Sequence, residues 1–187
     1  MRCPLLLPSQ LSPKQKPLYK DMMVGIGSNF NSVFESHTPE GQLIDPWSAW
    51  LQEPSISGAI WGLVKVMTAH ATLDPVVREI AILVVGAHFK SGYEIYAHGA
   101  LAKSVGMGDE RLSTISAGSR PSDMTEEEAC AYDTAKALTR GGILPDASYA
   151  RAVHVLGRHV ASELTYLVGL YHLVSVNLNG FNIAVPK

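Results

Sequence analysis

The 187-residue sequence is poor in cysteine, poor in charge and without a long apolar run. Its two cysteines, Cys3 and Cys130, lie far apart and cannot supply a disulfide framework or a zinc ligand set. That usage fits a reducing compartment. Charged residues make up 17% of the chain and the formal net charge is −2, so there is no basic footprint, which argues against a nucleic-acid partner. The most apolar stretch, Ile80 to Ala87, has the length of a buried helix and falls short of a membrane span. The opening residues carry one charge and three leucines before a proline, too short for a signal-peptide core. A cytoplasmic protein with no membrane partner is the expectation. There is no repeat and no low-complexity segment. Strand signals are weak, and only Asn182 to Val185 looks extended.

What the chain does have is apolar residues, 47% of the total. That exceeds what a soluble monomer needs and predicts subunit interfaces. The length suits one domain with a real core. Residues 1–10 read as a flexible N-terminal arm and 11–187 as one all-α domain. Ser12-Pro13-Lys14-Gln15 reads as an N-cap, a proline at the first helical position and a capping-box glutamine. That helix is predicted to run toward Met23, with Pro17 as a site for a kink. Gly25 to Gly41 reads as a loop. Asp45-Pro46 opens a short helix with Trp47, Trp50 and Leu51. Pro54 opens the next, with Ile56, Ile60, Leu63 and Met67 on one stripe, ending near His70.

Asp74-Pro75 repeats the cap-then-proline signal. The helix that follows, Val76 to about Phe89, is apolar nearly all round and should be central. Ser91-Gly92 breaks the chain, and a helix from Tyr93 to Val105 closes at Gly106. Together these two form a central helix hairpin. Asp109 begins a short helix. Thr125-Glu126-Glu127-Glu128 is a capping box for a helix reaching Arg140, stopped by Gly141-Gly142. Pro145-Asp146 opens another, and a last long helix spans Val160 to Leu178.

The chemistry-bearing residues cluster on that hairpin. Glu94 and His98 are four apart and share a helix face. Glu79, near the start of the preceding helix, would face them if the hairpin closes. Two carboxylates and an imidazole beside apolar walls make a workable acid–base set. The plainer alternative is a surface helix pair worth ~0.3 kcal/mol, with Glu79 favouring the positive end of its helix. Trp47 and Trp50 would wall a pocket or pack the core. His70 and His88 flank the hairpin as site residues, or as cap and core. Tyr93 offers a hydroxyl, and Arg78 is the arginine near the motif. His172, with Asn177 and Asn179, would line a pocket or an interface. The spacing of Glu79, Glu94 and His98 matches no zinc motif, and neither a metal nor another cofactor is predicted.

Arg78-Glu79, then Tyr93-Glu94-x-x-x-His98, then Gly106, resembles the carboxymuconolactone decarboxylase-like family. That family shares its fold with the alkylhydroperoxidase-D-like proteins. Pro46-Trp47 with Trp50-Leu51, Glu128 with Leu138, Glu163, Tyr171-His172 and Leu178-Asn179 support the resemblance, which runs from about Leu11 to Val185. The peroxidase branch has a Cys-x-x-Cys whose positions fall on Ser91 and Glu94 here, so disulfide-based peroxide reduction lacks its thiols. The decarboxylase branch keeps Glu-x-x-x-His. The resemblance therefore implies a cofactor-free enzyme that removes CO₂ from a carboxylated lactone. In that picture His98 donates a proton to carbon, Glu94 orients it, and a buried, neutral Glu79 hydrogen-bonds the developing oxyanion. No arginine cluster awaits a polyanion, so a less charged lactone or aromatic substrate fits better. The same chemistry would serve ring closure, dehydration or double-bond migration on a secondary metabolite. An assembly protein that has kept the fold without catalysis is the alternative from another class. The resemblance also implies a homo-oligomer, trimer or hexamer, with the site near subunit contacts.

Overall fold

The computed structural model describes residues 2–29, 33, 35–44 and 46–186. Among them are nine α-helices and no strand, as the sequence predicts. One isolated antiparallel bridge joins His37 and Leu43. Asp45, read as the start of the Trp47 helix, lies outside the described residues. The chain divides into two compact units, Met1–His70 with Asn177–Ala184, and Ala71–Val176 with Val185–Lys187.

In the first unit, residues 2–10 are tied by backbone and side-chain bonds. The Arg2 amide donates to the Phe181 carbonyl at 3.1 Å, and Gln42 donates to the Leu5 carbonyl at 3.1 Å. Helix α1 spans Gln15–Asn29. At its start the Ser12 amide donates to the Gln15 side chain at 2.9 Å, the reach-back half of a capping box. The helix continues through Gly25, where the sequence predicts a loop. The reason is packing. A Cβ at Gly25 would lie 2.5 Å from the Trp61 ring, so the glycine permits a close helix approach and makes no turn.

Helix α2 (Trp47–Trp50) buries both tryptophans, and α3 covers Pro54–Ala69. Its inward face is Ser57 and Trp61. The predicted stripe is turned differently: Ile56 and Leu63 are 64% and 45% exposed, and Val66 is 55% exposed. The Asn182–Val185 stretch is not a strand. Asn182 takes a left-handed turn (φ 53°), and the Ile183 amide closes onto the Leu178 carbonyl at 2.9 Å.

The second unit is built around α4 (Pro75–Phe89), which buries Val77 and every residue from Glu79 to Gly86. Asp74 caps it, accepting from the amides of Val76 at 2.9 Å and Val77 at 3.3 Å. Helices α5 (Gly92–Ser104), α6 (Asp109–Ser116) and α7 (Glu126–Thr139) pack on α4, and α8 (Asp146–Leu156) packs on α7. The predicted capping box is present. The Thr125 amide donates to Glu128 at 2.8 Å and the Glu128 amide to the Thr125 hydroxyl at 3.3 Å. The same carboxylate receives Arg111 at 2.5 Å, tying α6 to α7. The last helix, α9 (Arg158–Gly180), carries Glu163. Its carboxylate accepts from the Thr72 hydroxyl and from the amides of Thr72 at 2.9 Å and Leu73 at 3.2 Å. That fixes the entry to α4 just ahead of Arg78 and Glu79. Among the described residues no helix is long and apolar enough to cross a membrane.

Candidate active site

The hairpin of α4 and α5 sets the geometry. Lys90 caps α4 in the left-handed conformation (φ 52°), and the Ser91 amide returns to the Gly86 carbonyl at 2.9 Å. This reversal brings the second turn of α5 alongside the start of α4. There His98 Nδ1 lies 2.8 Å from Glu79 Oε2, with both side chains largely buried. An ionised carboxylate only accepts, so Nδ1 carries the hydrogen and Nε2 is left for proton exchange.

The anticipated Glu94–His98 contact does not form. Glu94 is 1% exposed, and among the described residues neither carboxyl oxygen has a well-aligned hydrogen-bond partner, the nearby Ser175 hydroxyl included. One turn before His98, it points inward where Gly86 leaves room. A Cβ at Gly86 would meet Glu94 Cγ at 3.3 Å. Burial holds the Glu94 carboxyl well above the ordinary glutamate range. The Ser175 hydroxyl pulls it back and the negative charge of Glu79 pushes it up further. The two glutamates therefore differ in kind: Glu79 is the partner of His98, and Glu94 is the acid whose protonated form burial favours.

Two residues of α9 complete the cluster. The Tyr171 ring meets the His98 ring edge to face, with centroids 4.8 Å apart. Burial raises the Tyr171 phenol. Arg78 counters by its charge and a hydrogen bond, while Glu79 and Glu94 add to the rise. Arg78, Glu79, Glu94, His98 and Tyr171 thus share one electrostatic neighbourhood. Ser175, one turn beyond Tyr171, is fully buried and faces Glu94. Tyr171 enters the sequence reading only through the family resemblance, and Ser175 not at all. The signal available was two polar side chains four apart in an apolar helix.

The other predicted site residues are placed as follows. Tyr93 is buried, its ring 5.9 Å from Tyr96. His172 donates through Nδ1 to the Val168 carbonyl at 2.7 Å and meets Phe89 edge-on at 5.0 Å. His88 is exposed near the end of α4, 6.4 Å from His172. Its pKa is lowered by desolvation first, then by His172 and Lys136. Trp47 and Trp50 are buried in the first unit, where His70 is the exposed cap of α3. Among the described residues no three His, Cys, Asp or Glu side chains are arranged to hold a metal ion. Cys130 lies in α7, packed with Ala152 and Ala161, and burial raises its thiol pKa.

No protein-family model and no curated protein matches the chain. Among solved structures it is similar to the crystal structure of the debrominase Bmp8, a cysteine-to-alanine variant in complex with 2,3,4-tribromopyrrole. The TM-score is 0.74 at 13% identity, over 100% of this chain and 92% of that one. The likeness establishes the fold, a helical alkylhydroperoxidase-D-like one.

Proposed function

We propose that the protein is a cofactor-free acid–base enzyme acting on a small lactone or enolisable carbonyl compound, with loss of CO₂ from a carboxylated lactone as its reaction. The observation that carries this reading is the pairing of His98 with Glu79 at 2.8 Å beside a buried carboxyl, Glu94, with no hydrogen-bond partner. Loss of CO₂ leaves an electron pair on the substrate as an enolate. Two things are then needed: a donor toward the developing oxygen charge and a proton for carbon. A protonated Glu94 is the donor, and His98 delivers the proton from Nε2 while Glu79 holds the ring. The roles of the two glutamates are thus exchanged relative to the sequence reading, because burial falls hardest on Glu94. Tyr171 walls the imidazole.

Ring closure, dehydration or double-bond migration uses the same groups. That reading is favoured by Arg78, whose charge and hydrogen bond are directed at Tyr171, with no further arginine in the cluster to hold a polyanion. From the debrominase we carry over only the size class of its ligand, a small ring. The protein is further proposed to be cytoplasmic and a homo-oligomer, trimer or hexamer. Exposed Ile56, Leu63 and Val66 on α3 support self-association.

The test is turnover of a panel of carboxylated and plain five-membered lactones by the native protein and by His98→Ala. The account expects a loss of about 10²–10⁴-fold in the variant, with helical content unchanged by circular dichroism. Full activity in folded His98→Ala would sink it.

A further inference from the structure

Buried polar atoms almost always have a partner, so orphans clustered in one place need an explanation. Both Glu94 oxygens and the Ser175 hydroxyl are orphans, on side chains 1% and 0% exposed. They come from different helices, α5 and α9, and lie near enough for the Ser175 hydroxyl to lower the Glu94 pKa as a donor, while their alignment falls short of a formed hydrogen bond. The Ser91 hydroxyl, also fully buried, makes no capping bond to α5 and has no partner. Its backbone amide is bound to Gly86, the residue against which Glu94 rests. Among the described residues neither hydroxyl has a well-aligned hydrogen-bond partner, and Ser175 bears only on Glu94.

A protonated carboxyl and a serine hydroxyl each present one O–H. Together they suit an acceptor oxygen from outside the chain. We propose that Ser175 and Glu94 form the oxygen-binding end of the site, and that it takes the uncharged carbonyl oxygen of a small cyclic ester or ketone. The inference rests on the acid–base reading above and adds to it a residue, Ser175, and a substrate class.

That an uncharged oxygen occupies this end follows from the charges nearby. Glu79 is an anion held to His98, and Arg78 is directed at Tyr171. A carboxylate placed beside Glu94 would lie near the Glu79 anion in a poorly solvated space, where like charges repel strongly. A carbonyl oxygen brings no charge on binding and gains it only as the enolate develops, when donors of fixed geometry help most. Any carboxylate the substrate is to lose must then point away from Ser175. The competing occupant is an internal water, which would satisfy the same atoms with two to four hydrogen bonds.

The probe is 2(5H)-furanone carrying ¹³C at its carbonyl, read by infrared difference spectroscopy with the full chain. A carbonyl that accepts from Glu94 and Ser175 stretches at lower frequency than in water. The expected pattern is a lowered stretch in the native protein, a smaller lowering in Ser175→Ala and an intermediate one in Ser175→Cys, which keeps the size with a weaker donor. His98→Ala should keep the lowered stretch even though it loses turnover. That separates failure of this inference from failure of the acid–base reading. An unshifted carbonyl in the native protein, as when water alone occupies the oxygen-binding end, overturns the proposal. So does a shift that Ser175→Ala and Ser175→Cys leave unchanged. Should Ser175→Ala not fold, the Ser175→Cys comparison decides alone.

Discussion

A carboxyl group buried with both oxygens unpartnered is tolerated in two ways, by keeping its proton or by meeting a ligand. Glu94 is that group. Its pKa is raised in the folded state, so the fold binds this proton more tightly than the unfolded chain does. The stability this contributes is complete below the unfolded value near 4.5 and is lost as pH rises toward the folded value. Glu94→Gln keeps the shape and cannot ionise. Its melting temperature should match the native protein near pH 4 and exceed it by a few degrees at pH 8, as read by thermal denaturation across pH. A constant difference at every pH would show that ionisation of Glu94 is not what costs stability.

The spacing of Glu94 and His98 suggested a contact that does not form. Helical periodicity places two side chains on one face. It says nothing about a third residue on the neighbouring helix that offers a better partner. Glu79 is that partner, and its place beside His98 depends on the left-handed turn at Lys90 that no local pattern specifies.

At the scale of helices, caps were legible and faces were not. Asp74-Pro75 and Thr125 with Glu128 act as their patterns predict, because capping is chemistry within four residues. Helix α1 runs past Gly25 because a glycine has two uses, a turn or a close approach, and the Trp61 ring that decides between them is 36 positions away. Gly25→Ala separates the two. Alanine favours the helix by ~1 kcal/mol, whereas a Cβ 2.5 Å from an aromatic ring costs about 1–3 kcal/mol in overpacking. The steric effect should win, with a lower urea midpoint at unchanged slope. A rise in midpoint would mean that Trp61 moves aside freely. Helix α3 shows a related limit. With apolar residues on most of its circumference, periodicity could not say that Ser57 and Trp61 turn inward and Leu63 outward.

For the whole molecule, an all-helical class followed from the cap-and-break pattern, and the likeness to a solved helical fold at 13% identity agrees with it. The division into two compact units had no sequence signal, since no composition shift or linker marks residues 70–71. The sequence's apolar surplus reappears on α3, where Ile56, Leu63 and Val66 stand exposed, with Lys65 between the last two ion-paired to Asp21. If subunits cover that face, sedimentation equilibrium should give a mass that is a multiple of 20.2 kDa. Leu63→Asp should shift it toward the monomer. A clean monomer at tens of micromolar would refute the oligomer.

The central claim is that His98, held by Glu79, moves a proton at carbon. It is tested most directly by hydrogen–deuterium exchange at the acidic C–H of 2(5H)-furanone in heavy water, followed by proton NMR with the native protein and with His98→Ala. The account predicts exchange well above the buffer rate with the native protein and a fall toward the buffer rate in the variant. Equal rates in the two, or no acceleration by the native protein at any pH between 5 and 9, would contradict it.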